Sequence, residues 1–336
     1  MAYFPETPPE HKPDGEQDGR RKQRRRFTGR ELLLLACAGL LAVIGVIQLA
    51  AYGMDWLASR ETSREMAELY NEPTAEATLP PPPVTVTAVP AETPSATPIP
   101  DPEPTRKPDA EEGLLPAVPY DPDSPYLIYT PRIARLRQKA PDAVGWLVMP
   151  DRDGETVVQR DNTYYLTHDA AGRSNRNGAL FLDEGTDLSE RPYGYLIYGH
   201  NMKTGAMFGS LKNYENLHYY HENPFLVFDS LYEEGEYVIF AVGTVSTLDR
   251  RVEYVDLFAL AGRETEARGK ALAGLKDASV FTCPVEVGAE DQVLLLVTCV
   301  DDDDDRRVVA ARRIRPGETR EELQELVRQS RRKIYK

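Results

Sequence analysis

Residues 32–53 read LLLLACAGLLAVIGVIQLAAYG, 22 positions without a charge. At about 1.5 Å of rise per residue, a helix of that length reaches across a hydrocarbon core of roughly 30 Å. A cleaved export signal has a shorter apolar stretch, about 7–15 residues, and ends at a small-residue cleavage site; no clean site follows here. The run therefore reads as a transmembrane signal-anchor helix over 31–53. Arg20, Arg21, Lys22, Arg24, Arg25, Arg26 and Arg30 lie before it, whereas Asp55, Arg60, Glu61, Arg64 and Glu65 beyond it are mixed in sign. The positive-inside bias then makes 1–30 a cytoplasmic basic tail, too polar to fold, and puts everything after the span outside the cell.

That topology limits the chemistry open to the external part. The net charge of −14 includes the basic tail, so the external part is more acidic still, which argues against a nucleic-acid partner. Three cysteines make no disulfide framework, and Cys37 falls inside the apolar run, leaving Cys283 and Cys299 as thiols in an exported domain. Residues 54–123 are expected to be an unstructured extracellular stalk. From about 71 onward they are dominated by Pro, Thr, Ala and Glu, as in TLPPPPVTVTAVPAETPSATPIPDPEPTRKP, with no apolar periodicity, and such segments favour extended polyproline II.

Apolar residues and turn signals return over 124–318, the expected catalytic domain. It opens with a helical pattern carrying Ile133, Leu136 and Val144 before a strand at 145–149. Short β-rich runs follow at 156–159, 179–182, 195–198, 225–229, 236–247, 292–299 and 307–314, separated by Gly, Asn, Asp and Pro. Many short strands with turns predict a mainly β domain, a closed barrel or a sandwich. A helix is expected at 263–276. At 319–336 a C-terminal helix is signalled by a Thr319/Glu322 capping box ahead of Leu323, Leu326 and Val327.

The chemistry gathers at the end of the apolar run VLLLVTC, where Cys299 meets a polar loop of five consecutive aspartates at 301–305. After it comes RRVVAARRI, a second strand candidate, and two strands joined by a short loop pair as an antiparallel hairpin. Cys299 and the Arg306/Arg307 pair then flank one turn, about 5 Å apart across the strands. Alternation lets only one arginine share the face of Cys299, and composition leaves the choice open. A thiol needs a nearby base or cation to act as a nucleophile. Of five histidines, His200 ends YLIYGH and opens the Gly-containing loop NMKTGAMFGSL, so it stands at a strand terminus as Cys299 does. Cys283 suits a buried, inert thiol.

Six ordered blocks over 131–314 resemble class B sortases: DAVGWLVMPD, VVQRDNTYYLTH, NGALFLD, YLIYGHNMKTGAMFGSLKNY, LLLVTC and RRVVAARR. The resemblance implies a mainly β fold, a closed eight-stranded sortase β-barrel with N-terminal helices, an extra helix before the cysteine strand, and a C-terminal helix. It implies a membrane-anchored cysteine transpeptidase of a Gram-positive cell wall. In such an enzyme Cys299 attacks the Thr carbonyl of a C-terminal sorting signal, His200 moves the protons, and Arg306, which the resemblance selects over Arg307, steadies the oxyanion. The implied partners are secreted proteins bearing that signal and an acceptor amine, from a peptidoglycan precursor or from a Lys of another protein as in pilin polymerisation. No cofactor and no metal are implied. Asn162 and Leu166 match positions that line the substrate groove, and Val297 and Thr298 join them in the expected substrate-binding set. The L-V-T-C box departs from the usual L-S-T-C, so Val297 removes a hydroxyl and leaves the sorting-motif preference open. The aspartate run reads as a solvated loop or as a recruiter of a cationic acceptor. A tethered adhesive or scaffold domain with a structural Cys299, or a hydrolytic cysteine protease, are the alternatives.

Overall fold

The computed structural model describes residues 28–73, 129–150, 152–246, 248, 254–300 and 305–334. The basic tail up to residue 27, most of the expected stalk, and Asp301, Asp302, Asp303 and Asp304 lie outside the described residues. The chain divides into two compact units, Met1–Ala51 and Tyr52–Lys336. The described part of the first is the opening of helix α1, Gly29–Asn71, whose apolar stretch is long enough to cross a membrane.

The second unit is built on a closed eight-stranded barrel. Its strands are β1 (Ala143–Val148), β2 (Glu155–Val158), β3 (Leu180–Leu182), β4 (Gly194–Tyr198), β5 (Phe225–Ser230), β6 (Glu236–Ser246), β8 (Val293–Cys299) and β9 (Asp305–Arg313), in the order β1-β2-β3-β4-β8-β9-β6-β5 with β5 returning to β1. β7 (Phe281–Thr282) pairs with β10 (Arg331–Arg332) near the C-terminus. The expected strands are all present with ends shifted by a residue or two, except that Val144 belongs to β1 and not to the preceding helix. That helix, α2 (Pro131–Leu136), starts on a proline, which fits the first helical turn because its missing N–H has no acceptor there. Ile133 and Leu136 are fully buried against the barrel.

α3 (Leu217–Glu222) lies between β4 and β5, and α4 (Thr265–Ala278) is the expected helix ahead of the cysteine strand. α5 (Arg320–Arg328) begins with the predicted capping box, Thr319 accepting from Glu322 N and Glu322 Oε2 accepting from Thr319 N, and it stops short of the expected 336 because the chain turns into β10. Hydrophobic alternation gives way to an all-apolar run in β8, Val293 to Val297 each at most 2% exposed, because β4 and β9 flank it and both faces are covered.

One expected boundary is corrected. Residues 54–71 are not stalk: they continue α1 and dock on the barrel. Met66 and Tyr70 are 1% and 5% exposed, and Tyr70 stacks on Trp146 with ring centroids 4.7 Å apart and donates to Asp229. Arg135 of α2 closes the helix end, donating to Leu69 O at 3.0 Å and Glu72 O at 2.8 Å. The physical reason is periodic: Asp55, Ser59, Thr62, Met66 and Tyr70 recur every three or four residues and so form one face of the helix.

β9 carries a buried guanidinium that fixes the strand of interest. Arg312 is 1% exposed and meets both Glu318 oxygens at 2.6 Å, with Glu286 O accepting from its Nε at 2.7 Å. Burial raises the Glu318 carboxyl, but the Arg312 fork, the Arg315 amide and both arginine charges outweigh it, and the net displacement is downward. A carboxyl held below its unfolded value contributes stability above that value and loses it as pH falls through the folded one. Glu318→Ala is expected to cost about 3 kcal/mol at neutral pH, because it leaves Arg312 buried and unpaired, and to flatten the loss of stability below about pH 4.5. Urea titrations of both proteins from pH 3 to 7 measure this; parallel pH curves would assign the acid lability elsewhere.

Candidate active site

The site follows from three strand ends at one rim of the barrel. β4 and β8 run parallel, Tyr198 beside Val297, so the next residues outward, Gly199 and His200, lie beside Thr298 and Cys299. Gly199 N donates to Val297 O at 3.3 Å and Thr298 Oγ1 donates to Gly199 O at 2.7 Å, which carries the pairing past the last strand residue. β8 and β9 are antiparallel, as the short connection requires. Their register sets Cys299 opposite Arg306 and Thr298 opposite Arg307. The choice that alternation leaves open is thereby made by register. Cys299 is exposed, whereas Arg307 is turned aside to an ion pair with Glu215 at 2.7 Å.

His200 is anchored by its backbone and by its ring. Its carbonyl accepts from Met202 N at 3.1 Å and Phe208 N at 2.9 Å, closing the loop 201–209, in which buried Met207 takes a left-handed φ of 48°. Its Nε2 is 2.8 Å from Leu166 O. A carbonyl only accepts, so Nε2 carries the hydrogen and Nδ1 is left as the nitrogen that can take up or release a proton. Asn201, which residue pattern does not single out, donates from Nδ2 to Cys299 O at 3.0 Å and clasps the histidine loop to the cysteine strand. Its signal in the sequence is only its place after the histidine.

Gly178 is equally inconspicuous in the sequence. It sits at φ 64°, and a Cβ there would lie 2.4 Å from Tyr165 O, 3.1 Å from Leu166 O and 3.2 Å from His200 Cδ2. Only glycine lets the backbone pass so close to the histidine ring and to the carbonyl that orients it.

The remaining expected residues divide. Leu166 is 38% exposed on the short 3₁₀ turn Tyr164–Leu166 and offers its side chain to the surface and its carbonyl to His200. Asn162 donates to Asp183 Oδ2 at 2.9 Å and accepts from Glu184 N at 3.0 Å, so its carboxamide is engaged in holding the β3–β4 turn. Val297 is fully buried and Thr298 is 2% exposed with its hydroxyl given to Gly199; the structure places both in the wall beneath the site, out of reach of a surface ligand. Tyr198 carries no signal of its own in the sequence, yet the Asp183 and Arg306 charges both act on it. Burial and then the Asp183 charge hold its hydroxyl above the ordinary range, and the Arg306 charge partly offsets them. Cys283 is half-buried, 3.0 Å from the Tyr220 hydroxyl, and is a free thiol like Cys299.

The strand ends of a closed, mainly β barrel thus bring a cysteine, a histidine and an arginine to one rim. The sortase-domain profile matches residues 149–314. Sortase B of Listeria monocytogenes is 31% identical over 167 residues, covering 48% of this chain and 65% of that protein. Sortase B of Staphylococcus aureus is 24% identical over 170 residues, 50% of this chain and 67% of that one. The crystal structure of sortase B from Bacillus anthracis in complex with AAEK1 shares the fold at a TM-score of 0.55 and 22% identity, over 78% of this chain and 99% of that one. The chain thus spans just under two thirds of the length of the Listeria relative. Its likeness is to the sortase family, and the curated relatives it matches are sortases B.

Proposed function

We propose that this chain is a cysteine transpeptidase held in the membrane by the apolar part of α1, with its N-terminus cytoplasmic and its barrel extracellular. The observation that carries the reading is the register that puts Cys299 opposite Arg306, with His200 at the end of the parallel neighbour strand. The sortase-domain match and the likeness to the Listeria and Staphylococcus sortase B proteins support it.

In the proposed reaction the Cys299 thiolate attacks the carbonyl carbon of Thr in a C-terminal sorting signal, forming a C–S bond and an oxyanion. Arg306, one strand away, neutralises that oxygen. The intermediate collapses by breaking the C–N bond, and the His200 Nδ1 proton goes to the leaving amine. An acceptor amine then loses a proton to Nδ1, attacks the thioester and restores the thiolate. The Leu166 carbonyl keeps its bond to Nε2–H through both halves and holds one ring orientation for donor and acceptor roles. Leu166, exposed beside that carbonyl, and Asn162 are the proposed groove residues. The acceptor is a cell-wall precursor amine or a Lys side chain.

Full-length protein in nanodiscs, given a library of sorting-signal peptides and an excess of triglycine, tests this by mass spectrometry. Wild type is expected to give an acyl adduct on Cys299 and an amine-dependent product. Cys299→Ala is expected to give neither, and His200→Ala a turnover lower by about 10²–10⁴-fold. Hydrolysed peptide at every amine concentration would make it a protease, and no adduct with any peptide would leave a scaffold.

A further inference from the structure

We propose that the barrel-docked half of α1, residues 52–71, is a positioning element for His200, acting through Ser59, Thr62 and Ser63 on the two segments that hold the imidazole. The inference rests on the reading of His200 as the proton-transfer partner of Cys299.

Two hydrogen-bonded relays start from one face of the helix. In the first, Ser59 Oγ accepts from Asn177 Nδ2 at 2.9 Å, and Asp55 O accepts from Asn175 Nδ2 at 3.1 Å. Thr62 Oγ1 lies 3.0 Å from Asp169 Oδ2 and accepts from Arg173. Asp169, Asn175 and Asn177 are each at most 3% exposed and belong to the loop 167–178. Both ends of that loop bracket Leu166: Asn175 N donates to Thr167 O at 2.8 Å, and Ala179 N donates to Tyr165 O at 3.0 Å. Leu166 O is the acceptor for His200 Nε2.

The second relay reaches the opposite side of the histidine. Ser63 Oγ donates to Glu155 Oε2 at 2.7 Å, Glu155 Oε1 is 3.5 Å from Arg152 Nη1, and Arg152 Nη2 donates to Gly205 O. Gly205 N is bonded to Met202 O at 2.9 Å, and Met202 N to His200 O at 3.1 Å. Met66 of the helix and Met207 of the histidine loop line the same small cavity between the relays.

Adhesion alone does not require this chemistry. At its far end the helix is held on β1, β5 and α2, by the Tyr70 stack on Trp146, the Tyr70 bond to Asp229 and the Arg135 cap. Around 59–63 its face is made of hydroxyls meeting buried amides and carboxylates, and such directional bonds fix register because a shifted helix leaves each buried partner unpaired. The polar patch sits where the loops to Leu166 and Gly205 pass beneath the helix. A displacement of α1 is therefore transmitted to both the ring acceptor and the backbone of His200.

The test uses full-length protein in nanodiscs. The rate of Cys299 alkylation by iodoacetamide is followed from pH 5 to 10 by peptide mass spectrometry, which separates Cys299 from Cys37 and Cys283, together with kcat and KM for a sorting-signal peptide. The Ser59→Ala/Thr62→Val double variant is expected to move the alkylation midpoint by about half a unit or more and lower kcat roughly tenfold, with KM within about twofold. Ser59→Ala/Thr62→Ser is expected to recover most of the loss. Tyr70→Phe, which loosens the same helix away from the relays, is expected to lower Tm and leave the profile and kcat in place. If the double variant does not fold, Ser63→Ala on the other relay is read in the same way. The proposal is overturned if Tyr70→Phe moves the profile as much as the relay variants do, or if His200→Ala moves it and they do not. An alkylation profile insensitive to His200→Ala removes the Cys–His reading itself, and the proposal falls with it.

Discussion

Arg306→Lys is expected to lower the rate of Cys299 acylation by roughly a hundredfold while the thiol remains open to alkylation. Both side chains carry one positive charge, so the difference lies in geometry. A guanidinium presents a rigid planar fork that can hold an oxyanion and a second acceptor together, whereas an ammonium is a mobile, strongly hydrated point charge. Arg306 already donates from Nη1 to Asp305 O at 3.1 Å, which orients the fork before substrate arrives. Arg307→Lys is the matched comparison. Arg307 faces Thr298 across the strands and its Nε is bonded to Glu215, so this change is expected to cost about 1 kcal/mol of stability and to leave acylation within about twofold. Single-turnover acylation with a sorting-signal peptide measures both. Equal losses in the two variants would place the oxyanion away from Arg306.

The contrast between these arginines also marks where the sequence stops being readable. The branched run ending in Thr-Cys, the polar interruption and the second run make a hairpin with cysteine and arginine at its mouth legible, because strand period and turn chemistry are local. Which arginine faces the sulfur depends on register across β8 and β9, a non-local property, and residue pattern alone leaves it open. His200 is legible as a strand-end histidine beside a glycine loop. Its closeness to Cys299 comes from the parallel pairing of strands almost a hundred residues apart in sequence, which no local signal encodes. Asn201 and Gly178 escape notice for the same reason: an asparagine bonded to a carbonyl 98 residues away and a glycine whose crowding comes from other segments look ordinary in a line of text.

The largest departure from expectation is the helix beyond the apolar run. Residues 54–71 contain six charged side chains, Asp55, Arg60, Glu61, Arg64, Glu65 and Glu68, and their docked face is small and hydroxylated at Ser59 and Thr62 before it becomes apolar at Met66 and Tyr70. A search for apolar periodicity sees only the second half of that face. The first half pairs with a set of buried polar groups, Asp169, Asn175 and Asn177, in a loop more than a hundred residues downstream. A segment that reads as a solvated spacer is in this way part of the folded unit.

Gly178→Ala is expected to lower stability and turnover together. Two penalties add there. The left-handed backbone, φ 64°, costs a residue with a Cβ about 1–2 kcal/mol. The methyl would also stand 2.4 Å from Tyr165 O and 3.1 Å from Leu166 O, both backbone atoms that cannot swing aside, and relieving such overpacking costs typically about 1–3 kcal/mol more. The relief has a direction. Pushing the 165–166 carbonyls away pulls the acceptor from His200 Nε2, and the methyl itself would press on Cδ2 of the same ring at 3.2 Å. Kcat is therefore expected to fall about a hundredfold, since a shift of about 1 Å in a catalytic group is enough for that. Gly317→Ala separates the two penalties. It has φ 90° with open space around the new methyl and lies far along the chain in the turn before α5, so it is expected to cost only the backbone penalty and to leave kcat unchanged. Urea denaturation and peptide turnover on the two variants decide the matter. If Gly178→Ala resembles Gly317→Ala in both measurements, the close passage of the 178 backbone does not set the imidazole, and the Leu166 carbonyl orients His200 without its help.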